Sequence, residues 1–272
     1  MKVFDFNIHL PVSVSPDVND LILEDFNMTE AQLCTGLSTH LEHIKMNDGC
    51  NFLLFNQNLF ENDIPAFKTL VKKQFSSHLL TALLDFRRNN LEAYIEHAKL
   101  AGANSIMFNS YIQKITGQDF GDVLKACLFA QQNKMFICID GSYGTSKMYD
   151  YDNLQLACYI SEFITKVPIV IIHSGGYRVL EAMLLALDKK NIYLDSSFSL
   201  HYYTGSSLEI DFAFAFKKIG THRILYGSDH PYVNAKDSLQ THLRFFSQYH
   251  FSQKETEDIL FNNSLQLISH FE

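Results

Sequence analysis

Short runs of β-branched and aromatic residues recur along the chain, each followed by a longer stretch with apolar positions at helical spacing. The strand-like runs are 3–9, 51–55, 79–85, 105–109, 135–140, 169–173, 192–195 and 224–227. Helix-like spacing fills 37–45, 64–75, 91–101, 120–132, 154–166, 179–189 and 208–219, and a last helical stretch runs from 253 to about 270. Ser252 and Glu255, at the start of that stretch, have the spacing of a capping box. This alternation predicts an α/β fold with parallel strands joined by helices. Shared over eight units, the 272 residues leave about 34 for each strand and its crossover helix. The expectation is a single (β/α)8 barrel over residues 1–272, favoured over an open doubly wound sheet. No Pro/Gly-rich linker or internal repeat divides the chain. Residues 10–36, polar and acidic in places, form the one long connection. After the first strand it would overlie the barrel mouth, as a lid or as a passive insertion.

Composition narrows the partners. Hydrophobic residues make up 47% of the chain and charged ones only 19%, which excludes a disordered chain. A formal net charge of −8 with scattered Lys and Arg gives no basic footprint for nucleic acid. The apolar runs are too short to span a bilayer, and the first ten residues lack the apolar core of a signal peptide. Five cysteines, odd in number and without a CxxC pair, read as small buried hydrophobes in a reducing compartment. A cytoplasmic protein acting on a small molecule is expected, with its oligomeric state open and a homodimer among the options.

In a barrel of this kind, chemistry gathers where strands end. These strands end in Asn7 and His9, Asp85, Asn109, Asp140, His173, Asp195 and Ser196, and Ser228 and Asp229. Any one of them could simply cap the next helix; together they converge on one rim. Asn7-x-His9 places two polar groups on one face of a strand. His173 leaves a buried strand at HSGG, and Asp229 leaves another at RILYGSDHPY.

On DFNIHL, IIHSGG, RILYGSDHPY and ILFNNSLQLI, the chain resembles the amidohydrolase superfamily, specifically the amidohydrolase-related TIM-barrel enzymes. That group includes metal-dependent hydrolases, lactonase-like enzymes and non-oxidative decarboxylases. The resemblance implies a divalent metal held by HxH on the first strand, His on the fifth and Asp on the eighth, with a catalytic His on the sixth. Carried over, these are His9, Asp229 and the catalytic His173. Asn7 stands at the first HxH position and Asp140 at the fifth-strand position, where the family has His.

The set Asn7, His9, Asp140 and Asp229 is rich in oxygen donors, so zinc, manganese or no metal at all are alternatives. Without metal, two neighbouring carboxylates need a shared proton, a charged His173 or Lys147 to neutralise them. Asp229 is the expected general base and His173 the group that polarises a carbonyl or shuttles a proton. Tyr143, Lys147, Arg178 and His201 are candidates for substrate binding, although Arg178 reads equally well as a solvated first-turn residue. His40-x-x-His43 has helical spacing but lacks a nearby third ligand, so it reads as an ordinary amphipathic helix. The expected activity is hydrolysis of a lactone, amide or related carboxylated compound. A decarboxylase and a non-catalytic binding barrel with a decayed metal site are the alternatives.

Overall fold

The computed structural model describes residues 1–10, 29–143 and 146–269. Eight parallel strands form one sheet in sequence order: β1 Phe4–Leu10, β2 Gly49–Leu54, β3 Ser77–Leu83, β4 Ser105–Phe108, β5 Phe136–Asp140, β6 Ile169–Ile172, β7 Ile192–Asp195 and β8 Ile224–Leu225. The outer helices are α1 Glu30–Ile44, α2 Pro65–Gln74, α3 Leu91–Leu100, α4 Phe120–Gln132, α5 Asn153–Ser161, α6 Val179–Asp188, α7 Leu208–Ile219 and α8 Ala235–Gln248. The predicted (β/α)8 barrel is therefore the observed fold. Its seam closes through Phe6 N–H to the Tyr226 carbonyl (2.8 Å), Asp229 N–H to that of Asn7 (2.9 Å) and His9 N–H to that of His230 (2.8 Å).

Alternation along the strands sorts the core into two layers. Phe4, Phe6, Leu53, Phe136, Cys138, Val170 and Leu225 fill the barrel, while Ile8, Phe52, Ile106, Ile137, Ile171 and Leu194 pack outward against helices. Helical residues Gln253–Glu257 and Asn263–Ser269 follow α8, and Leu267 joins the barrel interior. Asn263 Nδ2 donates to the carbonyls of Thr221 and Ile224, at the start of β8, so this segment seals the end opposite the mouth. The Ser252–Glu255 capping box is formed.

Three expectations change. Helix α8 was not predicted, because its buried face carries Ser238 and His242 beside Phe245 and Phe246. Helix α1 begins at Glu30, so part of the predicted 10–36 connection is helix; residues 11–28 lie outside the described residues. Cys50, Cys127 and Cys138 are buried as expected, but Cys158 is exposed. No described helix is long and apolar enough to cross a membrane.

A β-bulge in β1 positions the site. Asp5 pairs with Cys50 and Ile8 with Phe52, so β1 carries one more residue than β2 between these points. Phe4 and Phe6 point into the barrel below it. Above it Ile8 and Leu10 point outward, which leaves Asn7 and His9 facing the mouth. At the bulge, the fully buried Asp5 accepts from the N–H groups of Ser228 (2.8 Å) and Asn7 (3.2 Å). Burial pushes its carboxyl up to about 7, against the opposing pull of those hydrogen bonds. Its Oδ2 lies 3.4 Å from Asn47 Nδ2, while Asn47 Oδ1 has no partner among the described residues. Turning the Asn47 amide over would let a protonated Asp5 donate to that oxygen.

At the top of β8, a Cβ on Gly227 would overlap Asp195 Oδ2 and lie 2.8 Å from Asn7 Cβ and 2.9 Å from Ser197 Cβ. Gly227→Ala should cost about 1–3 kcal/mol by overpacking, read as a lower urea midpoint with unchanged slope. Asp5 makes a second prediction. Its folded pKa lies above the unfolded value of 3.8, so wild-type stability from this group falls as pH rises from about 4 to 7. Asp5→Asn has no proton to lose. Its stability relative to wild type should improve by about 2 kcal/mol between pH 5 and pH 8. A constant difference in urea melts at the two pH values would show Asp5 to be ionised in the fold.

Candidate active site

At the mouth, five side chains meet with 5% exposure or less: Asn7, His9, Asp140, His173 and Asp229. Strand parity delivers Asn7 and His9 above the bulge, and Asp140 two residues beyond the inward Cys138. His173 needs more. It follows the inward Ile172, so plain alternation would send it outward, but backbone φ of 63° at His173 and 53° at Ser174 turns it to the mouth. Asp229 also has positive φ, 67°. Left-handed backbone at residues without a glycine's freedom costs on the order of 1 kcal/mol or more and is characteristic of functional sites.

His9 Nε2 donates to Asp229 Oδ1 at 2.8 Å, and its ring packs between Phe55 and Tyr232. His173 Nε2 lies 3.7 Å from Asp140 Oδ2 and 3.8 Å from Asp229 Oδ1. Asp140 Oδ1 accepts from both the backbone and the hydroxyl of Ser142, which leaves Oδ2 toward the imidazole. Burial alone would pull the His173 pKa down. The carboxylates of Asp229, Asp140 and Asp195 outweigh it, and the net shift is upward. Of the neutralising groups considered from sequence, the charged His173 is the one this geometry favours.

Behind His173 lies a residue that sequence reasoning did not single out. Ser197 Oγ donates its one proton to Asp195 Oδ1, so its remaining capacity is to accept. It accepts from Asn7 Nδ2 (2.7 Å) and His173 Nδ1 (3.0 Å). The Ser197 carbonyl, 3.3 Å from the same nitrogen, can also only accept, so Nδ1 carries a proton. Asp195 is fully buried. Burial raises its carboxyl to about 6, and His173 and Ser197 hold it from going higher. Its place at the end of β7 was legible, but not its connection to His173 through a serine two residues on.

The proposed metal ligands are differently employed. His9 has given Nε2 to Asp229, Asn7 has given its amide donor to Ser197, and half of Asp140 is bound to Ser142. Among the described residues no group of three or more His, Cys, Asp or Glu side chains is placed to hold a metal ion. The donor set in this arrangement does not fit a divalent cation, although Asn7 Oδ1 and His9 Nδ1 have no partner among the described residues.

The suggested substrate residues do not gather at the same point. Arg178 pairs with Asp152 (2.8 Å) and Glu181 and donates to the Tyr143 hydroxyl (2.8 Å), so its charge is taken up within the fold. Tyr143 in turn donates to Asp152. His201 Nδ1 lies 3.0 Å from Thr241 Oγ1 on α8. Lys147 falls in the short turn Ser146–Tyr149, and its side chain lies outside the described residues. His40 and His43 do have a neighbour: His230 Nε2 lies 3.0 Å from His40 Nδ1, and the His43 ring stacks on His230. Burial first, then His40 and His43, lowers the His230 pKa to about 4, so the His230 imidazole is uncharged in this cluster.

Comparison with known proteins agrees with this architecture. The amidohydrolase family model matches residues 154–268, which include His173, Asp195, Ser197 and Asp229. A probable 2-pyrone-4,6-dicarboxylic acid hydrolase from Acinetobacter baumannii, solved with citric acid, has a TM-score of 0.63 at 14% identity, over 99% of this chain and 100% of that one. A zinc-bound amidohydrolase from Burkholderia multivorans scores 0.67 at 11% identity, over 99% of both chains. The 5-carboxyvanillate decarboxylase from Sphingomonas paucimobilis scores 0.66 at 10%, over 98% of this chain and 99% of that one. No curated protein sequence matches. At such identities the structures speak for the fold, and the family model for the second half of the sequence. Together they bear out the resemblance read from the sequence: the chain has the (β/α)8 fold of these enzymes, and its residues 154–268 match the amidohydrolase family model.

Proposed function

We propose that the protein is a hydrolase that adds water to the carbonyl carbon of a small lactone, amide or related carboxylated compound. The observation that carries this reading is the buried triad of His173 with Asp140 and Asp229, its imidazole held from behind by Ser197. Asp229, oriented by His9, accepts the proton of the attacking water. His173 directs Nε2–H at the substrate oxygen, stabilises its developing charge and then protonates the leaving group. Asp140 holds the ring in its charged form. The products are a carboxylic acid and an alcohol or amine, and the proton on Asp229 returns to His173.

A metal is assigned no step in this scheme; His173 supplies the positive charge at the site. Metal analysis of the protein purified without added metal should find zinc and manganese well below one equivalent. A stoichiometric ion removed by substituting His9 and Asp229 would overturn that assignment.

A non-oxidative decarboxylase is the second reading. A decarboxylase is among the fold neighbours, and an acidic His173 suits protonation of a carbanion. A screen of lactones, amides and aromatic carboxylates separates the two by product, since only decarboxylation releases carbon dioxide. On the substrate so identified, Asp229→Asn should lower kcat by about 100-fold or more. Full turnover by that variant would remove Asp229 as the base. The raised His173 pKa keeps the acid protonated above pH 6.5, so the alkaline fall of kcat/KM should lie above that value. Ser197→Ala should depress kcat more than KM, and Ser197→Thr, which keeps the hydroxyl, should recover part of the loss.

A further inference from the structure

The outward faces of α6 (Val179–Asp188) and α7 (Leu208–Ile219), which pack side by side, carry large apolar side chains in water. Leu184 and Ile210 are each 62% exposed and Phe214 53%, with Leu180 and Tyr177 alongside. Their exposed surface comes to about 500 Å², close to the apolar content of one side of a standard interface burying about 800 Å² per partner. Next to Phe214 a shallow groove of about 360 Å³ is lined by Ile210, Ala213, Lys217, Lys218 and Tyr249, room enough for an apolar side chain.

The sequence of α7 indicates what covers this face. Residues 211–217 read Asp-Phe-Ala-Phe-Ala-Phe-Lys, the same in both directions about Phe214 except that the two ends carry opposite charge. Phe212 and Phe216 are buried in the core, while Ile210, Phe214, Lys217 and Lys218 are exposed. The helix macrodipole accounts for acid at the start and base at the end. It does not account for the apolar stripe between them facing water. Asp211 and Lys218 form no ion pair among the described residues, and the Lys217 ammonium meets the Tyr249 carbonyl and the Phe251 ring, with the Glu255 carboxylate within electrostatic reach but not ion-paired to it.

We propose that this face is the interface of a homodimer, with the two copies of α7 antiparallel across a two-fold axis at Phe214. The axis brings Phe214 onto Phe214 of the second copy. It also sets Asp211 opposite Lys217 of the second copy, twice over, and Ile210 beside the stem of its Lys218. An isologous contact requires a patch complementary to itself, and the sign-inverted palindrome is such a patch. A net charge of −8 argues against an anionic membrane as the occupant.

Sedimentation equilibrium across a concentration series tests the inference on the full chain. Wild type should be dimeric at micromolar concentration, and Phe214→Glu should raise the dissociation constant at least tenfold with its circular dichroism unchanged. Asp211→Lys and Lys217→Glu should each weaken the dimer by about threefold. The double variant, which swaps the charges within one chain, should regain most of the loss. A wild type that stays monomeric overturns the proposal, and one that then adsorbs to phosphatidylglycerol vesicles assigns the face to lipid. A dimer indifferent to Phe214→Glu, or a double variant no tighter than the single ones, overturns the antiparallel pairing.

Discussion

Three backbone hydrogen bonds join the two edges of the sheet, and the residues that make them flank or carry the candidate chemistry. Asn7 accepts from Asp229, His9 donates to His230, and Phe6 donates to Tyr226. Closing the barrel is thus the same event as bringing His9 Nε2 to Asp229 Oδ1, although the two residues lie 220 positions apart. A site built on a ladder inherits its rigidity, because the alternative is an open edge with unpaired backbone groups. Gly227 is part of this bargain: the absent Cβ is the space in which Asp195, Asn7 and Ser197 come together.

Charge at the mouth follows from that closure. Asp140 and Asp229 are nearly excluded from water, and a pair of carboxyl groups so placed calls for a counter-charge. The imidazole of His173 lies between them, its far nitrogen anchored through Ser197 to Asp195. In the family pattern implied by the sequence, a metal ion would be the positive centre. In the proposed mechanism the His173 imidazolium takes that electrostatic role, which relates Asn7 and Asp140 to one arrangement rather than to two separate losses.

The strands and most helices were legible because their apolar positions keep to a period, and the family motifs placed His9, His173 and Asp229 at strand ends. Legibility failed where side chains broke the period for a reason found elsewhere in space. Helix α8 buries His242 against Ser196 Oγ, so its inner face looks polar in sequence. Arg178 resembles a free cation until Asp152 and Glu181 are seen to hold it. Ser197 and Asp5 matter through partners more than twenty residues away, and no local spacing announces such contacts. His40 and His43 seemed to lack a third member because His230 reaches them from the far end of the chain.

The bulge in β1 reaches beyond the placing of two side chains. It divides one strand into two segments read in opposite phase, with Phe4 and Phe6 packing the barrel below and Asn7 and His9 serving the mouth above. The core and the site can then change independently, since neither segment dictates the other's face. Pairing these same residues without the bulge would run one phase throughout, turning Asn7 and His9 toward the helices and Ile8 and Leu10 into the mouth. One unpaired residue thus works as an insulator between the part of the barrel that must stay dry and the part that must meet a substrate.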